Sequence, residues 1–122
     1  MGRDFNLSLL LLFGSQATGE AKRQSDIDFA FFSKEELTPK EDVLLNTRLC
    51  RLSKTDRVDT VNLRRAHPLL LKKILDSSKV LYQSSPVEFS KFEVLTLQKY
   101  REATPLFKMR RERLDKLVAS YD

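Results

Sequence analysis

The spacing of apolar residues changes several times along this chain, and each change marks an element. Leu7 to Phe13 is an apolar run closed by Gly14, the pattern of a central strand buried on both faces. Gly14 to Ser25 is rich in glycine, serine, threonine and charge, with a short helix predicted around Ala17 to Arg23. Asp26 to Phe32 then alternates as a second strand, with Ile27, Phe29 and Phe31 on one face and Asp26 and Asp28 on the other. Thr38-Pro39-Lys40-Glu41 is a capping box with proline at the first helical position. It predicts a helix to about Ser53 that buries Val43, Leu44, Leu49 and Leu52. The β-branched alternation of Arg57 to Leu63 predicts a third strand, His67-Pro68 opens a short helix over Leu69 to Asp76, and "KVLYQ" returns as a fourth strand. Ser85-Pro86-Val87-Glu88 reads as a second capping box. A long helix follows with Phe89, Phe92, Leu95 and Tyr100 near one face, broken or kinked at Pro105.

Strands interleaved with helices predict an α/β or α+β fold: a small mixed sheet of about four strands, helices packed on one face, and a C-terminal helical tail. The 122 residues fit one domain, with residues 1–84 holding the sheet and its helices and 85–122 the helical segment. A content of 41% hydrophobic and 32% charged residues excludes the disordered class. The lone Cys50 excludes an intramolecular disulfide, which suits a reducing cytoplasm. The opening stretch mimics a secretory signal, yet Asp4 spoils its basic region, and cleavage near Ala17 would remove the first strand. The same run is too short to cross a bilayer, so no membrane association is expected. Asn6 occupies the position where myristoylation wants serine or threonine.

Asp26 and Asp28 change this picture. On an extended strand their Cα atoms lie about 6.5–7 Å apart, and carboxylates held that close on one face call for a cation. The first strand ends in Gly14-Ser15, and two of the three glycines, Gly14 and Gly19, fall in the segment that follows. Glycine permits positive φ and close approach of the backbone, so exposed amides and a hydroxyl there form an anion cradle. The third strand adds Asp59. A phosphate cradle beside three carboxylates describes a site for Mg²⁺ and a nucleotide, because the hard ion takes oxygen ligands together with substrate phosphates. Two such ions would clamp the attacking and leaving oxygens of an in-line displacement. The net charge of +5 fits an anionic partner, and serves solubility equally.

Gly-Ser alone, or Asp-X-Asp alone, is a weak signal. Together, with ten residues between Ser15 and Asp26, "GSQATGEAKRQSDID" resembles the nucleotidyltransferase signature of the DNA polymerase beta-like superfamily, and "VDTVNL" resembles the strand bearing its third carboxylate. The brevity of the chain is similar to the minimal nucleotidyltransferases, above all the antitoxins paired with HEPN-domain ribonuclease toxins. The resemblance is tight over Leu9 to Phe32, extends through Leu63, and is looser in the tail. It implies that Gly14 and Ser15 hold the triphosphate of ATP and that Asp26, Asp28 and Asp59 bind Mg²⁺ as two ions. Asp59 would also help deprotonate an acceptor hydroxyl. It further implies transfer of AMP to a tyrosine of a HEPN toxin. Two alternatives stand beside this one, an adenylyltransferase acting on a small molecule of aminoglycoside type and an antitoxin that blocks its toxin by binding alone. The chain departs from many members in having only Met1 to Asn6 before the first strand, where they carry a helix.

Other candidates have plainer readings. Lys22 and Arg23 suit phosphate or solvent, Arg64 and Arg65 follow the third strand and suit solvent, and His67 suits a helix start. Lys108, Arg110, Arg111 and Arg113 form a basic patch with few aromatics interleaved, which argues against direct nucleic-acid binding.

Overall fold

Seven residues with an almost unbroken apolar face make the first strand the centre of the molecule. The computed structural model describes residues 5–14 and 26–120; within the last helix the side chains of 104–109, 114, 115 and 117–120 fall outside that description. Strand β1 (Leu7–Phe13) pairs antiparallel on one side with β2 (Ile27–Ser33) and on the other with β4 (Lys79–Gln83). Strand β3 (Val58–Asn62) lies parallel to β2, giving the order β3-β2-β1-β4 among the described residues. The mixed sheet of four strands is therefore as expected, and the fourth strand has the predicted bounds. The predicted helix over Ala17 to Arg23 lies outside the described residues.

The parallel β2–β3 pair requires a crossover, which helix α1 (Pro39–Ser53) supplies. Its start is the reciprocal box expected from the sequence: the Glu41 amide donates to Thr38 Oγ1 at 3.2 Å and the Thr38 amide to Glu41 Oε1 at 3.0 Å. Lys54, in the left-handed conformation with φ 57°, closes the other end. The buried face shares only Leu49 with the expected one. Leu45 and Leu49 are buried, while Val43, Leu44 and Leu52 are 65%, 50% and 66% exposed. Leu45 and Leu49 stand one turn apart on the stripe that meets Phe29, Phe31 and Val58, and Asn46 beside them donates to the Val58 carbonyl at 3.1 Å.

Helix α2 (Pro68–Ser77) begins at His67, whose Nδ1 accepts from the Leu69 amide at 3.2 Å, in keeping with its reading as a helix-start residue. Helix α3 runs Glu88–Ser120 and continues through Pro105. It begins at Glu88 rather than directly after Ser85. The Ser85 hydroxyl donates to Glu88 Oε1 at 3.1 Å, and the first-turn amide of Phe89 is taken by Gln83 Oε1 at 3.2 Å, so the second box is not the reciprocal one expected.

Alternation along β2 sends Phe29 and Phe31 to one face and Ala30 and Phe32 to the other, and each face has its own core. The first core joins Leu10, Phe29, Phe31 and Val58 to Leu45 and Leu49 of α1. The second joins Leu9, Leu11, Phe13 and Ala30 to Leu71 and Ile74 of α2 and Phe92 of α3. Helices thus cover both faces, which corrects the expectation of one. The physical reason is the crossover: β2 and β3 present apolar side chains on both sides, so the helix joining them is needed against the side that α2 and α3 leave open. Among the described residues, no helix is long and apolar enough to cross a membrane.

Candidate active site

Where β1 ends, the chain must turn away from a carboxylate. Phe13 is in register with Asp28, and Gly14 follows at φ +77°, a conformation that L side chains rarely adopt. A Cβ built on Gly14 would stand 2.6 Å from Asp28 Oδ2. Glycine is therefore required twice over, by the backbone angle and by the nearness of the acid, and the main chain closes directly over the carboxylate. Ser15 lies outside the described residues, as do Lys22 and Arg23.

Asp28 is in turn in register with Asp59 across the parallel β2–β3 pair, so their side chains leave the same face of the sheet. This is the face that Ala30 and Val61 line deeper in the molecule. Asp26 stands just before β2, exposed, two residues from Asp28 and so on its side of the alternating strand. Asp59 is exposed and Asp28 half-buried. The Asp28 carboxyl titrates above its ordinary value of 3.8, chiefly because burial strips water from the charged form, then because of the charge of Asp59, then that of Asp26. The charge of Lys73, on α2, acts the other way.

The structure therefore places Gly14, Asp26, Asp28 and Asp59 at one end of the sheet. Among the described residues no three acidic, histidine or cysteine side chains already stand at ligating distance, so the carboxylates form an open face and not a closed cage. That face fits Mg²⁺: the donors are all oxygens, the charges of Asp59 and Asp26 bear on Asp28, and the hard ion takes such carboxylates together with phosphate oxygens.

The arginines after β3 have no part in this end. Arg64 donates from Nε and Nη2 to the Ser33 carbonyl at 3.2 and 2.7 Å and from Nη2 to the Lys34 carbonyl at 2.9 Å, tying down the far end of β2. Arg65 pairs with Glu36. Lys73 is the residue that sequence reasoning missed. In "LLKKILD" it looks like one of two solvated lysines, and only the packing of α2 across the sheet brings its charge to bear on Asp28.

Comparison with known proteins identifies the family and agrees with the fold. The family profile described as polymerase beta, nucleotidyltransferase matches residues 2–87, most of the chain and all three aspartates. The chain belongs to that nucleotidyltransferase family. It is 30% identical over 121 residues to the protein adenylyltransferase MntA of Aphanizomenon flos-aquae (strain 2012/KM1/D3), spanning 92% of this chain and 81% of that one. A crystal structure of a toxin–antitoxin with AMP-PNP superposes with a TM-score of 0.77 at 29% identity, covering 96% of this chain and 92% of the other. The tri-AMPylated HEPN toxin of Shewanella oneidensis in complex with MNT antitoxin provides another match, with a TM-score of 0.69 at 27% identity over 95% and 88% of the two chains. The family places the chain among nucleotidyltransferases, and the mixed sheet with its helices is the fold of these relatives.

Proposed function

We propose that this nucleotidyltransferase is an antitoxin that transfers AMP from ATP to a tyrosine hydroxyl of a HEPN-domain ribonuclease toxin, in the cytoplasm. The observation that carries the reading is the register that sets Asp59 beside Asp28 under the Gly14 turn, on a chain whose relative MntA is a protein adenylyltransferase. The AMPylated toxin bound to an MNT antitoxin supports the choice of acceptor, and the AMP-PNP complex supports ATP as donor. In this reading residues 1–84 form the catalytic part and 85–122 a helical segment within one domain.

Each residue has a role fixed by its chemistry. Asp26, Asp28 and Asp59 would hold Mg²⁺, two ions in all, which when bound offset the charge developing on the α-phosphate. Gly14 and Ser15 would offer main-chain amides and a hydroxyl to the triphosphate, and the bare Cα of Gly14 is what lets the main chain pass so near Asp28. Asp59, exposed at the rim, takes the proton of the acceptor hydroxyl. The hydroxyl oxygen bonds to the α-phosphorus, and the bond to the bridging oxygen of the β-phosphate breaks. Pyrophosphate leaves with the electron pair.

The test is incubation of the full chain with labelled ATP, Mg²⁺ and the product of the neighbouring gene, in parallel with Asp26→Asn. Label on the toxin that disappears in the variant is the expected result. Inhibition of the toxin that survives Asp26→Asn with no label transferred points instead to an antitoxin that acts by binding. Label on a small hydroxylated molecule alone points to a small-molecule adenylyltransferase.

A further inference from the structure

The carboxylate face solves only part of the charge problem of this reaction. A triphosphate and three aspartates together carry more negative charge than two divalent ions offset, so a further cation is needed where pyrophosphate gathers charge as it leaves. Among the described residues, one lysine is placed for this.

Helix α2 lies on the Asp28 face, with Leu71 and Ile74 buried in the core that also contains Leu11, Phe13 and Ala30. Its C-terminal end passes through Ser78 into Lys79, which pairs with Leu12, next to the Phe13 that faces Asp28. The last turns of α2 therefore sit at the site end of the sheet. Lys73 lies there, adjacent to the buried Ile74 and itself exposed. The neighbouring lysines are otherwise engaged. Lys72 is held by Asp76 at 2.8 and 2.9 Å, and Lys79, paired with Leu12, belongs to the face that α1 covers. Lys73 makes no salt bridge with the described residues. A flexible stem bearing a compact ammonium, on a helix anchored to the sheet, suits a phosphate that arrives and departs.

We propose that Lys73 is a nucleotide-binding residue of this site, its ammonium receiving the β- and γ-phosphates of ATP and stabilising pyrophosphate as it leaves. This rests on the nucleotidyltransferase reading above. With nucleotide bound, the aspartates are committed to metal and Lys73 turns to phosphate.

The experiment is calorimetric titration of the full chain with Mg-AMP-PNP and, separately, with AMP, for wild type, Lys73→Met, Lys73→Arg and Lys72→Met. The expected result is affinity for AMP-PNP lowered about tenfold or more in Lys73→Met, partly restored in Lys73→Arg and unchanged in Lys72→Met, with affinity for AMP the same in all four. In the transfer assay, KM for ATP should rise and kcat fall in Lys73→Met. Equal AMP-PNP binding by wild type and Lys73→Met overturns this inference and leaves the nucleotidyltransferase reading intact. So does an equal loss for AMP and AMP-PNP, which would mark a structural effect. A wild-type chain that binds neither nucleotide overturns both.

Discussion

Gly14 and Asp28 constrain one another, and each can be altered separately. Gly14→Ala introduces a methyl group at φ +77°, where it meets Asp28 Oδ2 at 2.6 Å. The backbone strain alone costs about 1–2 kcal/mol. Displacing the carboxylate by about 1 Å should lower AMP transfer on the order of a hundredfold, so the loss of activity in a labelled-ATP assay should exceed what the drop in melting temperature explains. Asp28→Asn should act in the opposite sense on stability. Because folding raises the pKa of Asp28, the folded chain binds that proton more tightly than the unfolded one; the favourable contribution is complete below 3.8 and is lost as pH rises through the raised value. At neutral pH the ionised Asp28 therefore burdens the fold. The asparagine variant, melted without metal, should match or exceed wild type at pH 7, lose that advantage as pH falls below 3.8, and transfer no AMP.

At the scale of elements, α1 shows what a linear sequence reveals and what it hides. Its start was legible because a capping box is a contact between residues three apart, complete before any tertiary structure exists. Its buried face was not, because apolar residues occur all round the helix and only the crossover from β2 to β3 selects the stripe of Leu45 and Leu49. The same division runs through the site. The Gly14-Ser15 and Asp26-X-Asp28 spacing is local and readable, and the alternation of β3 puts Asp59 on a definite face. Lys73 was invisible because its relation to Asp28 exists only once α2 packs across the sheet. A pair of variants measures the correction in α1. Leu49→Ala, which empties a fully enclosed position, should cost about 2–5 kcal/mol in denaturant unfolding. Leu52→Ala, on the exposed side, should stay within about 0.5 kcal/mol of wild type. A large cost at both positions would restore the face read from the sequence, which buries Leu49 and Leu52 together.

Across the whole molecule, the residues that hold the sheet to its longest helix stand away from those proposed to do chemistry. Phe92 of α3 is buried against the sheet, with ring centroids 6.1 Å from Phe32 and 5.9 Å from Phe89 in edge-on geometry. Phe32 pairs with Leu9, whereas Asp28 pairs with Phe13, so anchor and site are four residues apart along β2, or about 13 Å. Phe92→Ala removes the largest fully buried side chain of this core and should cost about 3–5 kcal/mol. Against a total of about 5–15 kcal/mol for a domain, that leaves a chain still folded near room temperature, with Tm lowered on the order of 10–20 °C. Affinity for Mg-AMP-PNP, measured well below the new Tm and expressed per folded molecule, should be unchanged, because β1 and β2 hold Gly14 and Asp28 through their own pairing. A nucleotide affinity that falls in step with Tm would mean instead that α3 positions the site through the length of the sheet, and that the helical segment and the catalytic part are one cooperative device.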